Sequence, residues 1–336
     1  MTQFGLTPIT RSSGSTDLTG DRGHRLTIIR FLIALTAAFF LAIPAAAQKR
    51  IALSFDDVPR QAGGFFTPDV RTTRLIAALR KARVEQVAFF VIPGNLEKPD
   101  GKGGEARIAR YVRAGHVIAN HSYSHLWLSR TAASDYIADI DRAAAWLKDR
   151  PGYRPWYRFP YLDEGRRDLA KRAEVRAALA ARGLANGYVT IDNYDWHIDA
   201  LATKARQAGQ QIDMPALRTL YVETLVGAAN FYDRAALDAL GRQPIQILLL
   251  HETDLNAMFI GAVVEGLRKA GWEIVSIDAA YRDPIATREP NGWFTNGGRV
   301  AALAQDAGRA PKDLIDPRTD ETVLTTLFSA RVLKGQ

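Results

Sequence analysis

Strand and helix signals alternate along this chain from about residue 49 to residue 280, and that alternation constrains the fold more than any other feature. Ile51, Leu53 and Phe55 recur with the period of two expected of a strand. Thr67-Pro68 reads as a side-chain cap followed by a proline in the first helical position. Leu75, Ile76, Leu79 and Ala82 then recur at helical spacing. The apolar run Val87–Ile92, stopped by Pro93-Gly94, suits a fully buried strand. A helix near 103–114 leads to a strand at His116–Asn120, and Ser134 caps a helix carrying Ile137, Ile140, Ala144 and Leu147 on one face. Further on, the pattern predicts strands at Tyr157–Tyr161, Gly187–Ile191, Ile245–Leu250 and Trp272–Ile277, with helices over 166–182, 213–240 and 257–270. Repeated β-α units imply a parallel sheet covered by helices. About seven strands favour a closed or nearly closed barrel of the α/β class over an open sheet.

The first 47 residues do not belong to that pattern. Arg22, His24, Arg25 and Arg30 precede an apolar run from Phe31 to Ile43, then Pro44 and Ala45-Ala46-Ala47. A basic region, a short apolar segment and small residues at a cleavage position are the layout of an export signal. The run falls short of the ~20 residues that span a bilayer, so no stable membrane span is expected after cleavage. Residues 1–21 are polar and aperiodic, an extended leading segment or the product of an upstream start. The expected organisation is therefore a signal at 1–47, a catalytic domain at 48–282 and a C-terminal extension at 283–336, with an exported protein as the outcome.

Without Arg11, Arg22, Arg25, Arg30, Asp17 and Asp21 the formal charge falls from +8 to +6. That surplus fits a solvated surface or contact with an anionic polymer. No basic stripe with interleaved aromatics is present, which argues against nucleic acid as a partner. The chain has no cysteine, so a metal site must be built from His, Asp and Glu. The sequence leaves the oligomeric state open.

Catalytic groups of a parallel α/β fold gather just beyond the C-terminal ends of the strands. After the first strand stand Asp56 and Asp57, adjacent carboxylates that repel unless a proton or cation lies between them. Taken alone, the pair reads equally as a turn. After the third strand stand His121 and His125, which share one face if the segment coils as a helical turn. They are two of only six histidines, and imidazoles with a carboxylate are common ligands of a catalytic zinc with open positions. Arg158, Phe159, Pro160 and Tyr161 lie at the next strand, where a guanidinium can orient a carboxylate or form a structural ion pair. Asp192, Asp195 and Trp196 follow the fifth strand, and His251 ends the sixth. An aspartate beside a histidine fixes its tautomer and raises its basicity, which suits a general acid. Trp196 fits a sugar pocket wall or the core.

In this order the motifs resemble those of the polysaccharide deacetylases, the NodB-homology carbohydrate esterases, over residues 49–280. Ser54-Phe55-Asp56-Asp57-Val58-Pro59 corresponds to the family's Thr-Phe-Asp-Asp-Gly-Pro. His121 to His125 matches the second motif, Arg158 and Pro160 the third, Asp195-Trp196 the fourth, and Leu249 with His251 the fifth. The resemblance implies a distorted (β/α) barrel. It implies that Asp57, His121 and His125 hold a divalent metal ion, commonly zinc, that Asp56 is the general base and His251 the general acid. By the same resemblance Arg158 positions Asp56, Asp195 tunes His251, and the Tyr161 backbone N–H binds the oxyanion. Trp196, Tyr161 and Pro160 would contact the substrate. The implied activity is removal of N-acetyl groups from an acetylated polysaccharide or oligosaccharide, such as a chitin oligomer or peptidoglycan. Rival readings are an O-acetyl xylan esterase, a small-amide hydrolase, or a carbohydrate-binding protein without activity. Val58 in place of glycine, the long segment between Trp196 and Ile245, and Glu252-Thr253-Asp254 after His251 depart from the family and bear on substrate more than on chemistry.

Overall fold

The computed structural model describes residues 5–14 and 48–334; the segment 1–47, expected to be an export signal, lies outside them apart from 5–14, which have no regular structure. No helix among the described residues is long and apolar enough to cross a membrane. Residues 48–334 form one compact unit.

Its frame is a parallel sheet of seven strands among the described residues. They are β1 (Lys49–Val58), β2 (Ala88–Val91), β3 (Val117–Asn120), β4 (Tyr153–Tyr157), β5 (Ala185–Asn186), β6 (Gln246–His251) and β7 (Trp272–Ile274). The order is β5-β4-β3-β2-β1-β6. Ile51 is in register with both Gln246 and Ile274, so β6 and β7 lie on opposite edges of β1. Beyond β5, Ile191 makes a parallel bridge to Leu248, and the Leu249 N–H donates to the Ile191 carbonyl. That isolated bridge joins the chain beyond β5 to β6, while the strand ladders themselves leave the sheet open.

Ten helices among the described residues complete the unit: α1 (Pro68–Lys81), α2 (Gly104–Arg113), α3 (Ala133–Leu147), α4 (Leu169–Ala181), α5 (Asp195–Gln207), α6 (Met214–Leu240), α7 (Asp254–Lys269), α8 (Ile277–Ala280), α9 (Gly298–Asp306) and α10 (Glu321–Arg331). Helix α1 begins as expected, with Thr67 accepting from the Val70 N–H and Pro68 next. It buries Leu75 and Leu79, one turn apart. Ile51, Leu53, Phe55, Phe89, Leu248 and Leu250 are fully buried in one cluster with helix residues such as Leu75, Leu79 and Val263, so they form the core between sheet and helices.

Three local expectations are corrected. Ala132, not Ser134, is the N-cap of α3, and its methyl makes no capping hydrogen bond. Strand β4 ends at Tyr157, four residues before the expected limit. Pro160 lacks an N–H for a ladder and Tyr161 has φ 58°, so Arg158–Tyr161 forms the turn beyond the strand. Strand β5 is likewise displaced to 185–186, leaving Gly187–Ile191 largely irregular.

Residues 283–334 pack into the same unit. Phe294, Val300, Leu314, Leu324 and Phe328 are buried in its core. The Arg299 N–H donates to Val189 at 2.7 Å, and Gly298 has φ 82°. A Cβ on Gly298 would lie 2.8 Å from the Val189 carbonyl oxygen, so this junction needs glycine.

Candidate active site

In a regular strand Asp56 and Asp57 would face opposite sides of the sheet. The register of β1 against β2 shifts between Phe55 and Val58, and Asp57 takes φ 67°. This bulge re-aims Asp57, as bulges commonly do beside functional sites. Both carboxylates therefore approach one atom: His121 Nε2 is 3.6 Å from Asp56 Oδ2 and 3.7 Å from Asp57 Oδ1. Val58 points into the core and is fully buried, so it does not narrow the cavity.

His121 and His125 do meet, though not by coiling as a helical turn. Ser122 and His125 have φ 64° and 58°, which no α-helix permits. The loop is held by side chains instead. Asn120 accepts from the Ser122 N–H at 2.8 Å, and Ser122 Oγ accepts from the His125 N–H at 2.8 Å. Asp139 of α3 accepts from the Tyr123 and Ser124 N–H groups. The two imidazoles end 4.9 Å apart, centroid to centroid. His121 Nδ1 lies 2.9 Å from the Arg158 carbonyl, so Nδ1 carries the proton and Nε2 faces Asp57 with a free lone pair. Burial pushes both histidines down to about 4, which keeps them neutral and ready to ligate.

Asp57, His121 and His125 offer ligand atoms within 4.8 Å of one another. Asp57 Oδ1 is buried without a hydrogen-bond partner, and the other oxygen takes a bond from Arg60 at 3.2 Å. A buried carboxylate oxygen facing two neutral imidazoles is the donor set of a divalent-metal site, and the residues fit such an ion. Burial works against the charge on Asp57, but His125, His251, Arg60 and His121 outweigh it and hold its carboxyl well below the usual range.

Asp56 is buried and bound at 2.6 Å by Arg158 Nη1. Burial pushes it up to about 6, although Arg158 and His251 pull the other way. Arg158 is itself fixed by five further contacts. It donates to Ser54 Oγ, to the Gly187 and Tyr188 carbonyls and to the Tyr281 hydroxyl, and it covers the Phe90 ring at 3.8 Å.

Across the mouth, His251 Nδ1 lies 2.7 Å from Asp195 Oδ1. Burial alone would lower its basicity, but Asp195 reverses this and brings His251 up to about 9. Asn256 Nδ2 donates to the other Asp195 oxygen at 2.8 Å.

Asp56, Asp57 and His125 open on a cavity of about 520 Å³ that Arg60, Trp127, Tyr161, Asp192, Trp196 and Leu249 also line. Trp196 therefore walls the cavity. Pro160 is buried and outside this lining; it begins the turn that presents Tyr161. Trp127, absent from the sequence reading, stacks on Tyr161 at 3.7 Å and 7°. Arg60, Asp139 and Asn256 were also missed, and so were Asn296 and Glu321, which line the cavity from the C-terminal segment. Only the spacing of Trp127 two residues after His125 offered a signal.

Residues 44–183 match the sequence model of a family described as Polysaccharide deacetylase, so the resemblance read from the motifs is borne out. The peptidoglycan-N-acetylglucosamine deacetylase PgdA of Listeria monocytogenes is 24% identical over 242 residues, 72% of this chain and 41% of that protein. A peptidoglycan-N-acetylglucosamine deacetylase of Bacillus cereus is 26% identical over 149 residues, 44% of this chain and 47% of that protein. The chain thus spans less than half the length of these curated relatives. Among solved structures, the chitin deacetylase of Colletotrichum lindemuthianum aligns with a TM-score of 0.49 at 20% identity, over 75% of this chain and 93% of that one.

Proposed function

With residues 44–183 matching the polysaccharide deacetylases as premise, we propose that this chain is an exported, metal-dependent hydrolase that removes N-acetyl groups from an acetylated glycan. One observation carries the reading. Asp56, clamped by Arg158, lines one cavity with Asp57 and His125 of the Asp57–His121–His125 cluster, and His251, paired with Asp195, stands beside Asp56 in the β1–β6 ladder. The names of the relatives favour an N-acetylglucosamine polymer of the peptidoglycan type as substrate.

Asp57, His121 and His125 would hold a divalent ion, zinc by the usual preference of such ligands, which supplies Lewis acidity when bound. Asp56 takes the proton of the water that attacks the acetyl carbon, and Arg158 keeps its carboxylate aimed and ionised. The Tyr161 N–H is the amide donor for the carbonyl oxygen as that atom gains charge. The amine leaves poorly unless protonated, so His251 gives up its proton as the C–N bond breaks. The products are acetate and a free amino sugar. Trp127, Tyr161 and Trp196 provide the aromatic faces on which sugar rings rest.

The test is acetate release from chitin oligomers, peptidoglycan and acetylated xylan, with and without a chelator. We expect release from an N-acetylated glycan that chelation stops. Metal-replete protein that frees no acetate from any of them overturns the proposal.

A further inference from the structure

Arg60 stands immediately beyond β1 and lines both the main cavity and a second one of about 190 Å³ beside it. Its Nη1 is 3.2 Å from Asp57 Oδ2, the only hydrogen bond its side chain makes among the described residues. The backbone around it is pinned unusually firmly. The Arg60 N–H donates to Glu252 Oε2 at 2.7 Å. The Arg60 and Gln61 carbonyls accept from Arg71 at 3.3 and 2.8 Å. Arg71 is buried and paired at 2.7 Å with Asp254, whose other oxygen accepts from the Phe65 and Phe66 N–H groups. Tyr111 holds the remaining Glu252 oxygen at 2.7 Å. Gly63 lies so close to Asp254 that an added Cβ would sit 2.2 Å from its carboxylate oxygen. Glu252 and Asp254, two of the departures from the family pattern after His251, thus tie residues 60–66 to the start of α7.

A cluster of buried charges is costly to build and breaks badly when one partner is lost. Here its visible product is a fixed position for one partly exposed guanidinium. We propose that Arg60 is a positioning residue for the metal ligand Asp57. By occupying Oδ2, it restricts Asp57 to single-oxygen coordination through Oδ1, the atom that faces His121 and His125 and is otherwise without a partner. Partners that orient a ligating carboxylate are worth about 10- to 100-fold in metal affinity or activity. The opposing effect is repulsion between the guanidinium and a divalent ion; the orienting effect is the larger because Asp57 already neutralises Arg60. The inference rests on the metal-site reading above.

The experiment measures zinc affinity of the full chain by chelator competition, and the visible spectrum of the cobalt(II)-substituted protein. R60Q removes the charge and folds, because the side chain it replaces is partly exposed. R60K keeps the charge without the planar fork, and G63A displaces the strap without touching the site. Expected results are a loss of at least about tenfold in zinc affinity for R60Q, a changed cobalt spectrum, partial recovery in R60K, and a loss of the same sign in G63A. Affinity in R60Q equal to or tighter than the original overturns the proposal while leaving the metal site intact. An original chain that binds neither ion overturns the metal site and this inference together.

Discussion

His251 and Asp195 are joined twice: Asp195 Oδ1 lies 2.7 Å from the imidazole Nδ1, and Oδ2 accepts from the His251 backbone N–H at 2.9 Å. One carboxylate therefore fixes both the ring and the chain that carries it. Asp195 is the first residue of α5, so rotation of that helix and orientation of the His251 ring are one event.

This pairing has a sign that can be measured. The folded protein holds His251 protonated up to about pH 9, whereas an unfolded histidine loses its proton near 6.5. The pair's contribution to stability is full below about pH 6.5 and is lost as pH rises through about 9. NMR titration of the metal-free chain should find the His251 midpoint well above 7, and Asp195→Asn should bring it down. An unshifted midpoint in Asp195→Asn refutes the coupling.

Asp56→Asn should keep its metal and lose turnover. Arg158 Nη1 can still donate to the amide oxygen, but an amide takes no proton from water. Metal content and acetate release, measured on the same sample, decide the matter; wild-type rates would remove Asp56 from the base role.

Arg158→Met leaves Asp56 buried and unpaired. Breaking a buried pair in this way costs about 3–5 kcal/mol. Urea unfolding should show that loss, and a stability within about 0.5 kcal/mol of the original would mean the pair is replaceable.

His251→Ala should slow release from an N-acetyl sugar far more than from an activated acetyl ester. Only the amine requires a proton to depart. Equal losses on both substrates would count against His251 as the acid.

A chain ending at residue 282 should not fold. It would strip Phe294, Val300, Leu324 and Phe328 from the core and leave their partners in water. At roughly 1.5–3 kcal/mol for each large apolar side chain, the loss rivals the 5–15 kcal/mol that hold an ordinary domain together. A cooperative thermal transition in the shortened chain would disprove this.

The candidate groups stood out in the sequence because their chemistry is sparse: few residue types bind metal or move protons, and each was expected near a strand end. The mistaken expectations concern backbone geometry. The His121–His125 segment suggested a helical turn, yet side chains of Asn120, Ser122 and Asp139 set a left-handed loop. The pinning of residues 60–66 was illegible, since Glu252, which accepts from the Arg60 N–H, and Asp254, which accepts from the Phe65 N–H, lie about 190 residues away and nothing local marks them. Trp127 was hidden for another reason. A tryptophan in a loop has no period, and its value comes from stacking on Tyr161, which only the folded turn presents.

Asp56 and His251 are direct neighbours in the β1–β6 ladder, so the spacing of the proposed base and acid is set by hydrogen bonds between strands, not by any loop. The reaction geometry is therefore insulated from its surroundings. Insertions, deletions or exchanges in the segments that wall the cavity can reshape it without moving Asp56 relative to His251.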